Sequence, residues 1–135
     1  MRSRGFTLLE LVITCAIVAI LASIAYPSYV NSVQKSRRSE ATAALLGVAS
    51  QMERFSTEHS SYALATLGTG TNAVYPNHTE NSYYNLSLSN LGATTFTVSA
   101  APTGVQASDP CGTFSYDQQG NKSVSGGTWT KAQCW

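Results

Sequence analysis

Glu10 is the only charged residue between Phe6 and Tyr26, in a run otherwise made mostly of Leu, Ile, Val and Ala. A carboxylate at the centre of a hydrocarbon layer costs on the order of 2.5–3.5 kcal/mol on insertion scales, so such a residue usually has a partner or a task. The chemistry open to it is the pairing of a cation or the capping of a helix. Other reactive side chains are sparse. Cys15 lies inside the apolar run, whereas Cys111 and Cys134 lie in a polar half of the chain. His59 and His78 are the only imidazoles, and Lys122 and Lys131 are the only Lys or Arg after Arg54. With no Cys-x-x-Cys and no clustered His, a zinc centre is not expected. There is also no Ser-His-Asp order, no phosphate loop and no suggestive carboxylate pair. The reading is therefore a non-enzyme with no catalytic residue, cofactor or metal. The Asn-x-Ser/Thr triplets at Asn77, Asn85 and Asn121 are ordinary for so Ser/Thr-rich a chain.

Two different segments must position these residues. From residue 6 to 58 the only Gly is Gly47 and the only Pro is Pro27, while most of the Gly and the other Pro fall later. That shift predicts a long helical N-terminal half and a strand-and-turn C-terminal half. A chain of 135 residues with 11% charged residues and a net charge of +1 suggests one domain with a projecting segment, and argues against wholesale capture of nucleic acid.

The apolar run follows Arg2 and Arg4, as a membrane span or a secretory signal would. An ordinary signal accounts for the arginines, and Ser23-Ile24-Ala25 supplies small residues where a leader peptidase would want them. It does not account for Glu10, nor for helical patterning beyond Tyr26. Thr7-Leu8-Leu9-Glu10 also reads as a capping box, with Glu10 complementing the helix dipole. Capping leaves the boundary between Gly5 and Phe6 unexplained.

Beyond Ser28 the helix turns amphipathic. Val30, Val33, Ala41, Leu45, Val48, Met52 and Phe55 form a core-facing stripe that Arg37 interrupts. Lys35, Arg38, Glu40, Gln51, Glu53, Arg54 and Glu58 are read onto the other faces. Pro27 predicts a kink in a helix of roughly 50 residues, too long for an ordinary globular core. Strands are expected at 83–89, 94–101, 113–117 and 122–125, with Asp117-Gln118-Gln119-Gly120 as a hairpin turn.

Arg4-Gly5-Phe6-Thr7-Leu8-Leu9-Glu10-Leu11, followed by the apolar run and Tyr26-Pro27, resembles the class III signal of type IV pilins and related pseudopilins. The resemblance implies that a prepilin peptidase cuts between Gly5 and Phe6 and methylates the Phe6 amine, and that Glu10 is the assembly residue. The physical chemistry agrees. A free Phe6 amine is cationic at neutral pH, and a cation and a carboxylate relieve each other's desolvation in a low-dielectric bundle. Glu10 of one subunit would then meet the amine of a neighbour and fix the axial register.

In the C-terminal half, Asp109-Pro110-Cys111-Gly112-Thr113, the stretch YDQQGNKSV and Cys134-Trp135 are similar to PilE-type minor pilins, as is Gln51-Met52-Glu53-Arg54-Phe55 with Ser61-Tyr62. Cys111 and Cys134 are natural disulfide partners in an oxidising compartment, and this bracket resembles the pilin D-region. Cys15 is read as a small hydrophobe. The short chain and the late second Cys also fit a minor pilin.

The expected architecture is α+β, a long kinked helix packed on a small antiparallel sheet. Residues 1–5 are the leader, 6–27 the membrane and assembly helix, and 28–135 the exported domain. Within the latter lie an amphipathic helix at 28–58, an αβ-loop at 59–82 and a disulfide-closed D-region at 111–134. The function implied is a type IV pilus subunit of minor type, supporting assembly, adhesion or twitching motility. It would be anchored in the inner membrane before assembly and extracellular afterwards, with other pilins and the peptidase as partners. One alternative is a DNA-receptor pilin contacting phosphates through Lys122 and Lys131, for which two cations predict weak binding. Another is a type II secretion pseudopilin, against which the Cys pair counts, since major pseudopilins usually close this region with calcium.

Overall fold

A computed structural model of the chain describes residues 6–135. Gly5 and the two N-terminal arginines lie outside the described residues. Helix α1 runs Leu8–His59 and remains helical through Pro27, although proline leaves the Ser23 carbonyl without its helical donor. It ends where Ser60 adopts a left-handed φ of 56°, a common way to stop a helix. The chain divides into two compact units, one reaching to Lys35 and the other running Ser36–Trp135.

In the first unit, the apolar face of α1 is exposed, including Leu8, Val12, Ile17, Leu21 and Ile24. This part of α1 is long and apolar enough to cross a membrane. Aliphatic side chains left uncovered in such number need hydrocarbon or other helices around them.

The second unit has an ordinary core. Its sheet has the order β3-β4-β5-β6, formed by β3 (Tyr84–Ser89), β4 (Thr97–Pro102), β5 (Thr113–Asp117) and β6 (Lys122–Ser125). All neighbours are antiparallel. Alternation sends Tyr84, Leu86, Val98, Ala100 and Phe114 inward, where they join Ala41, Leu45, Val48, Met52 and Phe55 of α1 in one buried cluster. The outward residues are small and hydroxylated, as in the register Ser87↔Ser99↔Ser115↔Ser123.

Four of these elements coincide with the strands read from the sequence. β4 starts three residues later than the expected Thr94, because Thr95 closes the preceding turn by donating from its hydroxyl to the Asn90 carbonyl at 2.9 Å. The αβ connection contains a feature the sequence did not suggest. β1 (Thr66–Leu67) pairs in parallel with β2 (Ala73–Tyr75), and His78 bridges to Asn85 on β3. Segments this short carry no readable period. The connection is tied to α1 by Glu40, whose carboxylate accepts from both the amide and the side chain of Asn81 at 2.9 Å.

Around the disulfide two backbone strands cross without side chains between them. A Cβ on Gly127 would collide with the Pro110 carbonyl oxygen, and one on Gly112 with the Ser125 carbonyl oxygen. Gly112 also has a φ of 64°, where a side chain is strained. Gly127→Ala is expected to destabilise the unit by about 1–3 kcal/mol, the range for overpacking. Thermal unfolding of the detergent-solubilised chain, compared with an exposed control such as Ala132→Gly, measures this.

Candidate functional site

Arg38 falls three residues before Ala41 and seven before Leu45, in register with the core stripe of α1. It is buried, with 7% of its surface exposed. This corrects its assignment to a face other than the core-facing stripe. The register was legible as a pattern, but a charged residue on it is stable only with a partner, and that partner is 71 positions away.

The partner is Asp109, which is also buried. Arg38 donates from Nε to Oδ2 at 2.9 Å and from Nη2 to Oδ1 at 2.6 Å. Oδ2 further accepts from the Tyr84 hydroxyl at 3.2 Å and from Gln106 Nε2 at 2.6 Å, and Oδ1 from the Cys111 amide at 3.0 Å. The 3-10 turn Gly104–Gln106 delivers Gln106, and Tyr84 comes from β3. Burial alone would raise the Asp109 carboxyl. The hydrogen bond from Arg38, that from the Cys111 amide and the guanidinium charge outweigh burial and hold it below the usual carboxylate range. Burial, reinforced by the Asp109 charge, pushes the Tyr84 phenol well above its ordinary value. Asp109 therefore stays ionised and Tyr84 stays a donor. The cluster clamps the start of the D-region to α1.

Arg37 is half-buried beside it. Its guanidinium lies 4.4 Å from the Tyr83 ring centroid and reaches Gln106 Oε1 at 3.5 Å. Trp129 covers the other face of the clamp, its ring 4.8 Å from the Arg38 guanidinium carbon.

Cys111 and Cys134 are joined in a disulfide, while Cys15 is free and exposed on α1. Lys122 and Lys131, the only lysines or arginines of this half, meet at a surface groove of about 390 Å³ lined also by Gly120, Asn121, Ala132 and Trp135. The Asp117 turn sets Lys122 at the start of β6, with Oδ1 accepting the Gln119 and Asn121 amides at 2.9 Å. Helix α2 (Lys131–Cys134) sets Lys131, its start fixed by the Thr130 amide donating to Gln133 Oε1 at 2.9 Å. Trp135 bonds the Ser123 carbonyl through its indole N–H at 3.1 Å, and Lys122 Nζ lies 4.9 Å from its ring.

At the other end of the chain, the Glu10 amide donates to Thr7 Oγ1 at 3.3 Å, and the Thr7 hydroxyl approaches Glu10 Oε2 at 3.5 Å. The backbone half of the cap is therefore present. The carboxylate itself takes part only at the limit of hydrogen bonding. Phe6 is described and exposed.

A family profile described as type IV minor pilin ComP, DNA uptake sequence receptor, matches residues 27–115, and one described as the prokaryotic N-terminal methylation motif matches residues 1–26. The chain belongs to this family of type IV minor pilins. It is 40% identical over 62 residues to the type IV major pilin protein PilA of Myxococcus xanthus, covering 46% of this chain and 28% of that one. It is 30% identical over 69 residues to the type II secretion system core protein G of Dickeya chrysanthemi, covering 51% and 45%. The chain thus spans less than half the length of these curated relatives. A type IV pilin structure from Shewanella oneidensis is similar at 26% identity and a TM-score of 0.52, over 72% of this chain and 98% of that one. The Neisseria meningitidis minor pilin PilV, at 22% identity and a TM-score of 0.59 over 73% and 93%, shares the fold. The long N-terminal helix with an antiparallel sheet is the pilin architecture.

Proposed function

We propose that the protein is made as a prepilin whose leader, residues 1–5, is removed between Gly5 and Phe6, with methylation of the Phe6 amine. Residues 6–27 then hold it in the inner membrane as a single span until it enters an extracellular pilus beside other pilins. There it supports assembly, adhesion or motility as a minor, non-catalytic component. Chemistry is done to it by the peptidase and by disulfide formation. The observation that carries this reading is Glu10, a lone carboxylate on an exposed apolar helix with only a marginal bond of its own. It is suited to the methylated amine of a neighbouring subunit. Intact-mass and N-terminal peptide analysis of the protein from sheared pili is expected to find N-methylated Phe6 as the first residue. A terminus at Tyr26, as an ordinary signal peptide would leave, overturns the reading.

A second reading is favoured by the family profile matched over residues 27–115, whose description is that of a DNA uptake sequence receptor. In it, the pilus subunit also holds duplex DNA, with Lys122 and Lys131 as the phosphate contacts, although both lie beyond the matched range. Two such contacts give a slope of log affinity against log salt near roughly −1.8. Micromolar, salt-sensitive gel shifts by the full chain in detergent, lost in Lys122→Ala/Lys131→Ala, support the second reading. Binding no tighter than millimolar leaves the filament role alone. The double variant is expected to enter pili at the parental level in either case.

A further inference from the structure

The D-region is attached to the rest of its unit in two ways, which share the contact of Trp129 with Arg38. The first is the Asp109 clamp. Among the described residues, the donors to that carboxylate are Arg38, Tyr84, Gln106 and the Cys111 amide, all outside residues 112–135. The second is the attachment of residues 126–135. The Thr128 and Trp129 amides both donate to the Pro110 carbonyl, at 2.8 and 3.0 Å. Trp129 lies on the face of Arg38, Trp135 meets Phe114 edge-on with ring centroids 5.6 Å apart, and Cys134 is bonded to Cys111. Trp129 is 37% exposed, whereas Phe114 beneath Trp135 is fully buried. The segment begins at Gly126-Gly127, with Gly126 at a φ of 74°, a natural hinge.

We propose that residues 126–135 are a redox-releasable flap, held shut by the Cys111–Cys134 bond, over a clamp that does not depend on that bond. The segment has little buried area of its own and ends in the one-turn helix α2, so the cross-link is its principal restraint. The clamp is made of charge-assisted bonds among buried groups, which reduction does not touch. Release would uncover the guanidinium face of Arg38 and the ring of Phe114.

The reductant is a dithiol. One of its thiolates attacks the sulfur of Cys134, the less buried of the two cysteines at 9% exposure, and Cys111 leaves as a thiolate. The second thiol of the reductant resolves the mixed disulfide. Two electrons and two protons finish on Cys111 and Cys134, and the reductant becomes a disulfide.

Hydrogen exchange read by mass spectrometry, on the full chain in detergent micelles with and without dithiothreitol, tests this. Peptides from 126–135 are expected to exchange about tenfold faster or more after reduction. Those covering 105–111 and 36–45 should stay within about twofold of the oxidised protein. Acceleration of 105–111 in step with 126–135 would mean that bond and clamp are one latch, and no acceleration of 126–135 would mean that the bond does not hold the flap. Either result overturns the proposal. Cys111→Ser/Cys134→Ser repeats the test without reductant, and where it fails to accumulate the reduced parent protein decides.

Discussion

Asp109→Ala is expected to cost about 3–5 kcal/mol, because it leaves the Arg38 guanidinium buried without its counter-ion. Domain stabilities run about 5–15 kcal/mol, so the loss is a large share of the total. For a unit of this size the unfolding midpoint should fall on the order of 10 °C or more. Calorimetry or circular dichroism of the detergent-solubilised chain measures it. Removing both charges tells a different story. Arg38→Met/Asp109→Leu should recover part of the loss, since a buried pair replaced by apolar groups of similar volume is often close to neutral. The Tyr84, Gln106 and Cys111 donors still lose their acceptor. Equal damage from the single and double variants would show that the site works through shape and not charge.

The same carboxylate sets an acid limit. Its folded-state titration is lowered below the unfolded value, so the stability it contributes is complete above the ordinary Asp range. That stability is lost only as pH falls through the depressed folded value. Asp109→Ala should therefore flatten the acid side of the stability profile. A profile as steep in the variant as in the parent would place the acid sensitivity elsewhere.

Glu10→Gln is expected to insert into the membrane at least as well as the parent and to be depleted from purified pili by about tenfold or more, a difference of ~1.4 kcal/mol or more. The local geometry makes this substitution decisive. The Glu10 amide bonds the Thr7 hydroxyl whatever side chain follows, and glutamine retains an oxygen for the weak return contact. What it lacks is the charge that would answer a neighbour's amine. Quantitative mass spectrometry of pilus and membrane fractions separates the two roles. Incorporation of Glu10→Gln at the parental level would make Glu10 a helix cap and nothing more.

The largest features of this chain were written locally. The Gly5-Phe6 boundary, the mostly apolar run and the placement of Glu10 are consecutive in sequence, so reading them required no knowledge of packing. The long helix followed from a scarcity of Gly and Pro, and the strands from alternation that the sheet later sorted into an inner apolar and an outer hydroxylated face. Arg38 and Asp109 were legible only in part. Arg38 carried the right register on α1, yet its side chain argued for water, and Asp109 stood as one letter in a turn before a cysteine. Buried charge is affordable only where donors from separate elements converge. That convergence here needs α1, β3 and the Gly104–Gln106 turn together. The meeting of Lys122 with Lys131, and the lid that Trp129 lays over Arg38, have the same origin. The register of one helix or one strand is fixed by its own side chains, but which residues face each other across a core depends on how the sheet docks on the helix and where the Cys111–Cys134 bond returns the chain.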